Sequence, residues 1–189
     1  MKKKATLILC SFLLILSGIA VFKTWSNVPA FDPTVNFVVR QGLESKVQEI
    51  ADRFSNGDVL VVSKKDHLLY FCRRGLIVRG DKWGGLVFNF PVPVALGANN
   101  RWTPEGKFTI YTKNDRSRYT LFLGFLGQYG IHGAETRLAS KLNFMETLNP
   151  NYTFVTKKDN TRGCVAVENR VIKYLFAQVQ VDTPVIIMR

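Results

Sequence analysis

Residues 58–80 read DVLVVSKKDHLLYFCRRGLIVRG, and this stretch constrains the fold more than any other. Its apolar residues come in runs too short for helices, broken at residues 64–66 and 73–75. Such runs, rich in β-branched and aromatic residues and bounded by turn formers, predict two strands of an antiparallel hairpin or meander. The pattern continues downstream. LVFNFPVPVALGAN extends the strand-like run to Gly97, and TPEGKFTIYTK follows as a turn and a strand. RYTLFLGFLGQYGIHG supplies another apolar strand ending in glycines, and TPVIIM closes the chain as a strand. Helical spacing is confined to Val47, Ile50, Ala51 and Phe54, stopped at Asn56 and Gly57, and to Val171, Tyr174, Leu175 and Val179. The expectation is a mostly β domain with few helices over residues 58–189.

The amino terminus is of another kind. MKKK precedes ATLILCSFLLILSGIAVF, 18 residues without a charge. A positive start, an apolar stretch and then small residues make the layout of a signal peptide, with Gly18 and Ala20 marking a cleavage site after Ala20. The same run is also about long enough to span a bilayer. Residues 1–22 are therefore read as a signal peptide or an N-terminal membrane anchor. Either way Lys2, Lys3 and Lys4 stay cytoplasmic and the remainder is exported, to the periplasm or cell envelope. Residues 23–57 are a spacer, with two prolines in 23–41, followed by the amphipathic helix.

A formal charge of +12 asks for an acidic partner or an anionic surface. The Lys and Arg residues are scattered, without zinc-finger spacing or an RNP-type aromatic motif, so nucleic acid is not expected. Two separated histidines and two separated cysteines beyond Cys10 show no recurrent ligand spacing, so neither a metal nor any other cofactor is expected. A glycine-flanked serine elbow is missing, and no local arrangement singles out a carboxylate pair.

Chemistry points instead to Cys164 in NTRGCVAVEN and His132 in YGIHGAE. A thiol attacks as thiolate, and an imidazole beside it can take the proton. His132 ends an apolar strand, where a rigid sheet can present a side chain to a cleft, and Gly133 allows close backbone approach. Gly163 clears access to the cysteine and permits a tight turn whose amides could stabilise an oxyanion. From the residues alone three readings of Cys164 stay open: nucleophile, inert buried thiol, or disulfide partner of Cys72. Cys72 shares a strand face with Leu68 and Tyr70 and reads as core, and His67, beside Asp66 in a strand pattern, reads as a surface or edge residue.

In their order, these pieces resemble the L,D-transpeptidase (YkuD-type) catalytic domain of bacterial cell-wall enzymes. VLVVSKKDHLLYFCRRGLIV looks like its opening hairpin, and VALGANNRWTPEGKFTI like its Gly then Thr-Pro-x-Gly-x-Phe-x-Ile segment. IHGA is similar to its Ile-His-Gly, TRGCVAVEN to its Ser/Thr-x-Gly-Cys signature, and VIKYLFAQVQVDTPVIIM to its closing helix and strand. The resemblance implies a β-sandwich or barrel-type fold and covalent acyl transfer on peptidoglycan stem peptides. Cys164 would be the nucleophile, His132 the general base and the Gly133 carbonyl the group that orients the imidazole. Thr161, Arg162 and Gly163 would line the acyl site. Transfer to an amine of a second stem gives a 3→3 cross-link. Transfer to water gives carboxypeptidase or other hydrolase activity, and a degenerate site would leave a cell-wall-binding protein.

Three departures stand out. Arg162 occupies the position where the family usually carries His, and a guanidinium does not shuttle protons at neutral pH. It could instead lower the Cys164 pKa or bind a substrate carboxylate. Ala166 replaces a usual Arg. Residues 133–160 separate His132 from Thr161, more than is typical, and predict an enlarged loop over the cleft, as a lid or a partner-binding element.

Overall fold

The computed structural model describes residues 35–98, 100–149, 153–155 and 159–189. The stretch expected to be a signal peptide or anchor, and the first part of the expected spacer, lie outside them. No described helix is long and apolar enough to cross a membrane. The chain divides into a unit of residues 1–42 and a compact unit of residues 43–189. Of the first unit, only residues 35–42 are described, as the opening of a helix.

That helix, α1 (Val35–Asp52), starts earlier than its apolar spacing suggests. Residues 35–41, expected in the spacer, contain neither Pro nor Gly, so nothing stops a helix anchored further along from propagating through them. The anchor is Val47 and Ala51, both fully buried against one face of the main sheet.

The main sheet has the order β3-β2-β1-β14-β8, from β1 (Asp58–Ser63), β2 (Leu68–Arg73), β3 (Leu76–Ile77), β8 (Gly106–Thr109) and β14 (Pro184–Met188). β6 (Val92–Pro93) adds to β2. Strand β1 explains why DVLVVS is apolar at successive positions. Its odd residues Val59 and Val61 face α1, while Leu60 and Val62 face the central core, so both faces are buried. It pairs antiparallel with β2 and parallel with β14. His67 sits in the turn between β1 and β2, not within a strand, at a left-handed φ of 52°, and its Nε2 lies 2.9 Å from Asp159 Oδ1. Cys72, as expected, is core.

A second sheet runs β13-β11-β10-β9, from β9 (Thr112–Asn114), β10 (Phe122–Leu126), β11 (Tyr129–His132) and β13 (Val165–Ala166). The single apolar strand expected over RYTLFLGFLGQYGIHG is thus a hairpin. Gly127, at φ 51°, supplies the left-handed turn residue that folds β10 back on β11. Two small ladders complete the strands: β4 (Asp81–Trp83) with β5 (Leu86–Phe88), and β7 (Leu96–Gly97) with β12 (Asp159–Thr161).

Between the two sheets lie Leu60, Phe71, Leu123, Ile131, Val165 and Ile187, closed on one side by helix α3 (Asn169–Gln178). Val171, Tyr174 and Leu175 of α3, and Val179 just beyond its end, are buried, as their spacing predicts. The architecture is mostly strand, with three helices among the described residues.

The expected enlarged loop is largely a helix, α2 (Thr136–Leu148), with no buried residue. Polar ties hold it and the segment after it. Thr136 N–H donates to Arg118 O at 2.8 Å and Asn169 Nδ2 to Asn143 Oδ1 at 3.1 Å. The carboxylate of Glu168 accepts from Thr153 Oγ1 at 2.5 Å and Val155 N–H at 2.7 Å.

Leu60, fully buried in the strand that both sheet neighbours flank, is the clearest test of this core. Leu60→Ala is expected to lower unfolding free energy by about 2–5 kcal/mol in denaturant titration, the cost of lost burial plus a cavity. A loss below about 1 kcal/mol would place Leu60 outside a close-packed core.

Candidate active site

β11 and β13 run parallel, with Ile131 opposite Val165 and His132 opposite Ala166. Ile131 and Val165 are fully buried in the central core. Side chains alternate along a strand, so His132, Ala166 and Cys164, two residues before Ala166, belong to the other face. By this alternation Cys164, just before β13, falls on the same side as His132.

The imidazole of His132 is held firmly. Its Nδ1 lies 2.7 Å from Gly133 O, an oxygen that can only accept, so Nδ1 carries the proton. Its ring stacks on that of Tyr119, with centroids 3.6 Å apart and planes 16° apart. Burial pulls its pKa down to about 4, offset in part by the Gly133 hydrogen bond. At neutral pH the ring is therefore uncharged and Nε2 keeps its lone pair. That atom is buried, without a hydrogen-bond partner among the described residues. It is a proton acceptor with nothing yet to accept.

Gly133 must be glycine. A Cβ there would come within 2.7 Å of Asn169 Oδ1 and 2.9 Å of Ile172 Cγ2. Gly163 has φ 101°, and opposite it a Cβ on Gly97 would approach Gly163 Cα to 2.8 Å. Two glycine backbones thus pass each other where β7 meets β12. Thr161 folds the turn, its Oγ1 donating to Cys164 O at 2.7 Å and accepting from Gly163 N–H at 3.3 Å.

Cys164 is nearly buried, and like Cys72 it is a free thiol. Its Sγ faces Gln128 O at 3.8 Å. Burial pushes the thiol pKa up, while a backbone hydrogen bond from Gly130 and the charge of Arg118 pull the other way. The resting pair is a neutral thiol and a neutral imidazole.

Two cavities open here. One, of about 550 Å³, holds Cys164 with Arg101, Arg118, Tyr119, Gln128, Tyr129 and Arg162. The other, of about 470 Å³, holds His132 and Gly133 and reaches Thr161, Arg162 and Leu138 of α2. Arg118, Tyr119 and Arg162 border both. The structure thus places Thr161 and Arg162 on cavity walls and Gly163 at the backbone crossing behind Cys164. The cation acting on the thiol is Arg118, and no sequence signal marked it. Its guanidinium lies 4.8 Å from the Tyr119 ring centroid and donates to Tyr119 OH at 2.8 Å. Tyr119 was equally invisible, since nothing local in RYTLF announces contact with a histidine 13 positions away. Among the described residues, no three His, Cys, Asp or Glu side chains gather as metal ligands.

The sequence model of the L,D-transpeptidase catalytic domain, the YkuD family, matches residues 57–187. Solved structures of similar fold include an L,D-transpeptidase from Mycobacterium tuberculosis H37Rv (16% identity, TM-score 0.52, covering 70% of this chain and 58% of that one). Another is L,D-transpeptidase 3 from Mycobacterium tuberculosis in complex with a faropenem-derived adduct (14%, 0.54, 70% and 60%). A third is the L,D-transpeptidase from Xylanimonas cellulosilytica (18%, 0.51, 70% and 60%). The chain spans about three-fifths of the length of these structures. No curated protein matches the sequence. The fold and the family match agree on one type of domain. This chain belongs to the L,D-transpeptidase (YkuD-type) catalytic domain family.

The lowered His132 pKa has a thermodynamic consequence. The unfolded chain takes up the His132 proton near pH 6.5, but the folded chain does not until about pH 4. Between those values the unfolded state binds more protons, so stability falls as pH is lowered. The expected contribution is about 3 kcal/mol, fully lost below pH 4. Denaturant titrations across this window should show a flatter pH slope for His132→Gln than for the parent. Equal slopes would mean that His132 is not buried neutral.

Proposed function

We propose that the protein is an exported enzyme that transfers acyl groups between peptidoglycan stem peptides through Cys164. The reading is supported by the parallel β11–β13 register, which brings the strand ending in His132 beside the segment that follows Cys164, and by the unpartnered Nε2 of His132, in a domain of this family. Residues 58–189 are taken as the catalytic domain and residues 1–22 as its export signal or anchor.

In the first half-reaction, Nε2 of His132 takes the Cys164 proton as sulfur adds to the carbonyl of the third stem residue. The neutral resting thiol makes this proton transfer part of the attack rather than a step before it. The Gly133 carbonyl steadies the imidazolium that forms, as a third group does in other triads. Collapse of the tetrahedral intermediate breaks the C–N bond to the terminal D-alanine, whose amine leaves with the proton from Nε2. An amine of a second stem then attacks the thioester and frees the thiol, giving a 3→3 cross-link. Arg101, Arg118 and Arg162 around the cysteine cavity suit the carboxylates of such a substrate, and the +12 charge suits an acidic polymer.

Incubation of the purified protein with tetrapeptide muropeptides, followed by mass spectrometry, tests this. Dimers joined 3→3 are expected, and Cys164→Ala should remove at least about a thousandfold of the rate, as loss of a nucleophile does elsewhere. Trimmed monomers without dimers would make water the acceptor and overturn the transferase reading. Turnover retained in Cys164→Ala would overturn the cysteine.

A further inference from the structure

Asn169 is fully buried at the start of α3, five residues after Cys164. Its Oδ1 accepts from Ala134 N–H at 2.9 Å. That amide and the Gly133 carbonyl belong to one peptide unit, which is planar and turns as one body. The carbonyl end accepts from His132 Nδ1. Rotating the peptide away from Asn169 would therefore also swing the carbonyl away from the imidazole. The other end of the Asn169 amide is fixed too, since Nδ2 donates to Asn143 Oδ1 on α2. The close fit at Gly133, which leaves no room for a Cβ beside Asn169 Oδ1, holds the two against each other.

These contacts form one hydrogen-bonded chain with a single direction. It runs from His132 Nδ1–H through the Gly133–Ala134 peptide and the Asn169 amide to Asn143. Each bond polarises the next, and together they allow one orientation of each group. We propose that Asn169 is a positioning residue for His132, holding the Nδ1-protonated tautomer through the Gly133–Ala134 peptide. Asn143 extends this control to the inserted helix α2. The inference rests on the reading of His132 as general base, yet the tautomer itself can be measured without turnover. Without Asn169, the peptide can turn, Nδ1 loses its fixed acceptor, and the ring samples the tautomer with the proton on Nε2. That form leaves Nε2 no lone pair with which to take a proton.

Two readouts on the full protein test this. The first is the nitrogen NMR spectrum of His132, which separates protonated from lone-pair-bearing ring nitrogens. The parent should show Nδ1 protonated alone. Asn169→Ala should show both tautomers, Asn169→Asp should restore the single form because it keeps an oxygen for Ala134 N–H, and Asn143→Ala should lie between. The second is the rate of Cys164 acylation by faropenem, followed by intact mass. Here Asn169→Ala should lose about tenfold or more, the scale on which groups that orient a histidine act. The loss should appear in the limiting rate rather than in the faropenem concentration that gives half of it. If Asn169→Ala does not fold, Asn143→Ala and Asn169→Asp decide. A single unchanged tautomer in Asn169→Ala, or in Asn143→Ala where Asn169→Ala does not fold, would overturn the inference, as would two tautomers in Asn169→Asp or slowed acylation with the tautomer unaltered, which would leave Asn169 a purely structural residue. A parent that faropenem fails to acylate would sink the cysteine reading while the tautomer measurement still judged Asn169.

Discussion

The site depends on one strand pairing. β13 is two residues long, and its register against β11 decides which side chains enter the core and which face the cleft. With Ile131 opposite Val165, two apolar side chains fill the space between the sheets and His132 and Cys164 are turned outward together. A slip of one residue would drive the thiol into the core and expose Val165, so burial of Ile131 and Val165 enforces the cleft geometry. So short a strand needs outside support. Val167 N–H donates to His132 O at 2.9 Å, and Ala95 and Ala166 exchange both backbone hydrogen bonds. On the other side the Gly97–Gly163 crossing lets the Cys164 turn approach β7 more closely than any side chain would allow.

Burial also sets the electrical state of the two groups. It raises one pKa and lowers the other, so the pair rests neutral. An ion pair preformed between them would have to overcome the desolvation of both. In the proposed reaction this arrangement suits a thiol that stays quiet until a carbonyl is in place, while a Gly130 backbone hydrogen bond and the Arg118 charge pull its pKa down against burial. Tyr119 supplies much of the cover, since its ring lies directly on the imidazole and is itself held by Arg118.

Much of the frame was legible because it rests on local periodicity. DVLVVS and LLYFC show strand character in their residue types, and Val171, Tyr174, Leu175 and Val179 mark a helix face by spacing alone. The hairpin at Gly127 was read as one strand because FLGFLGQYGIH is apolar throughout, and the turn there is made by a single glycine without Pro or Asn to mark it. Helix α2 differs from the expected loop although Leu138, Leu142 and Met145 stand at helical spacing. It buries no residue, and polar ties to Asn169 and Arg118 hold it. Within the site, His132, Gly133 and Cys164 stood out through their glycine neighbours. Arg118 and Tyr119 did not, because their partners are distant in sequence and ordinary in type. Arg162, expected from its place beside the cysteine, borders both cavities, while the positive charge felt by the thiol comes from Arg118.

Trapping the covalent intermediate tests the central claim most directly. The protein is mixed with a tetrapeptide muropeptide, quenched in acid within the first turnover, digested and mapped by mass spectrometry. The expected result is a thioester on the peptide containing Cys164, with the mass of the stem less its terminal D-alanine. Product formation with no adduct at Cys164, or with an adduct on another residue, would contradict it.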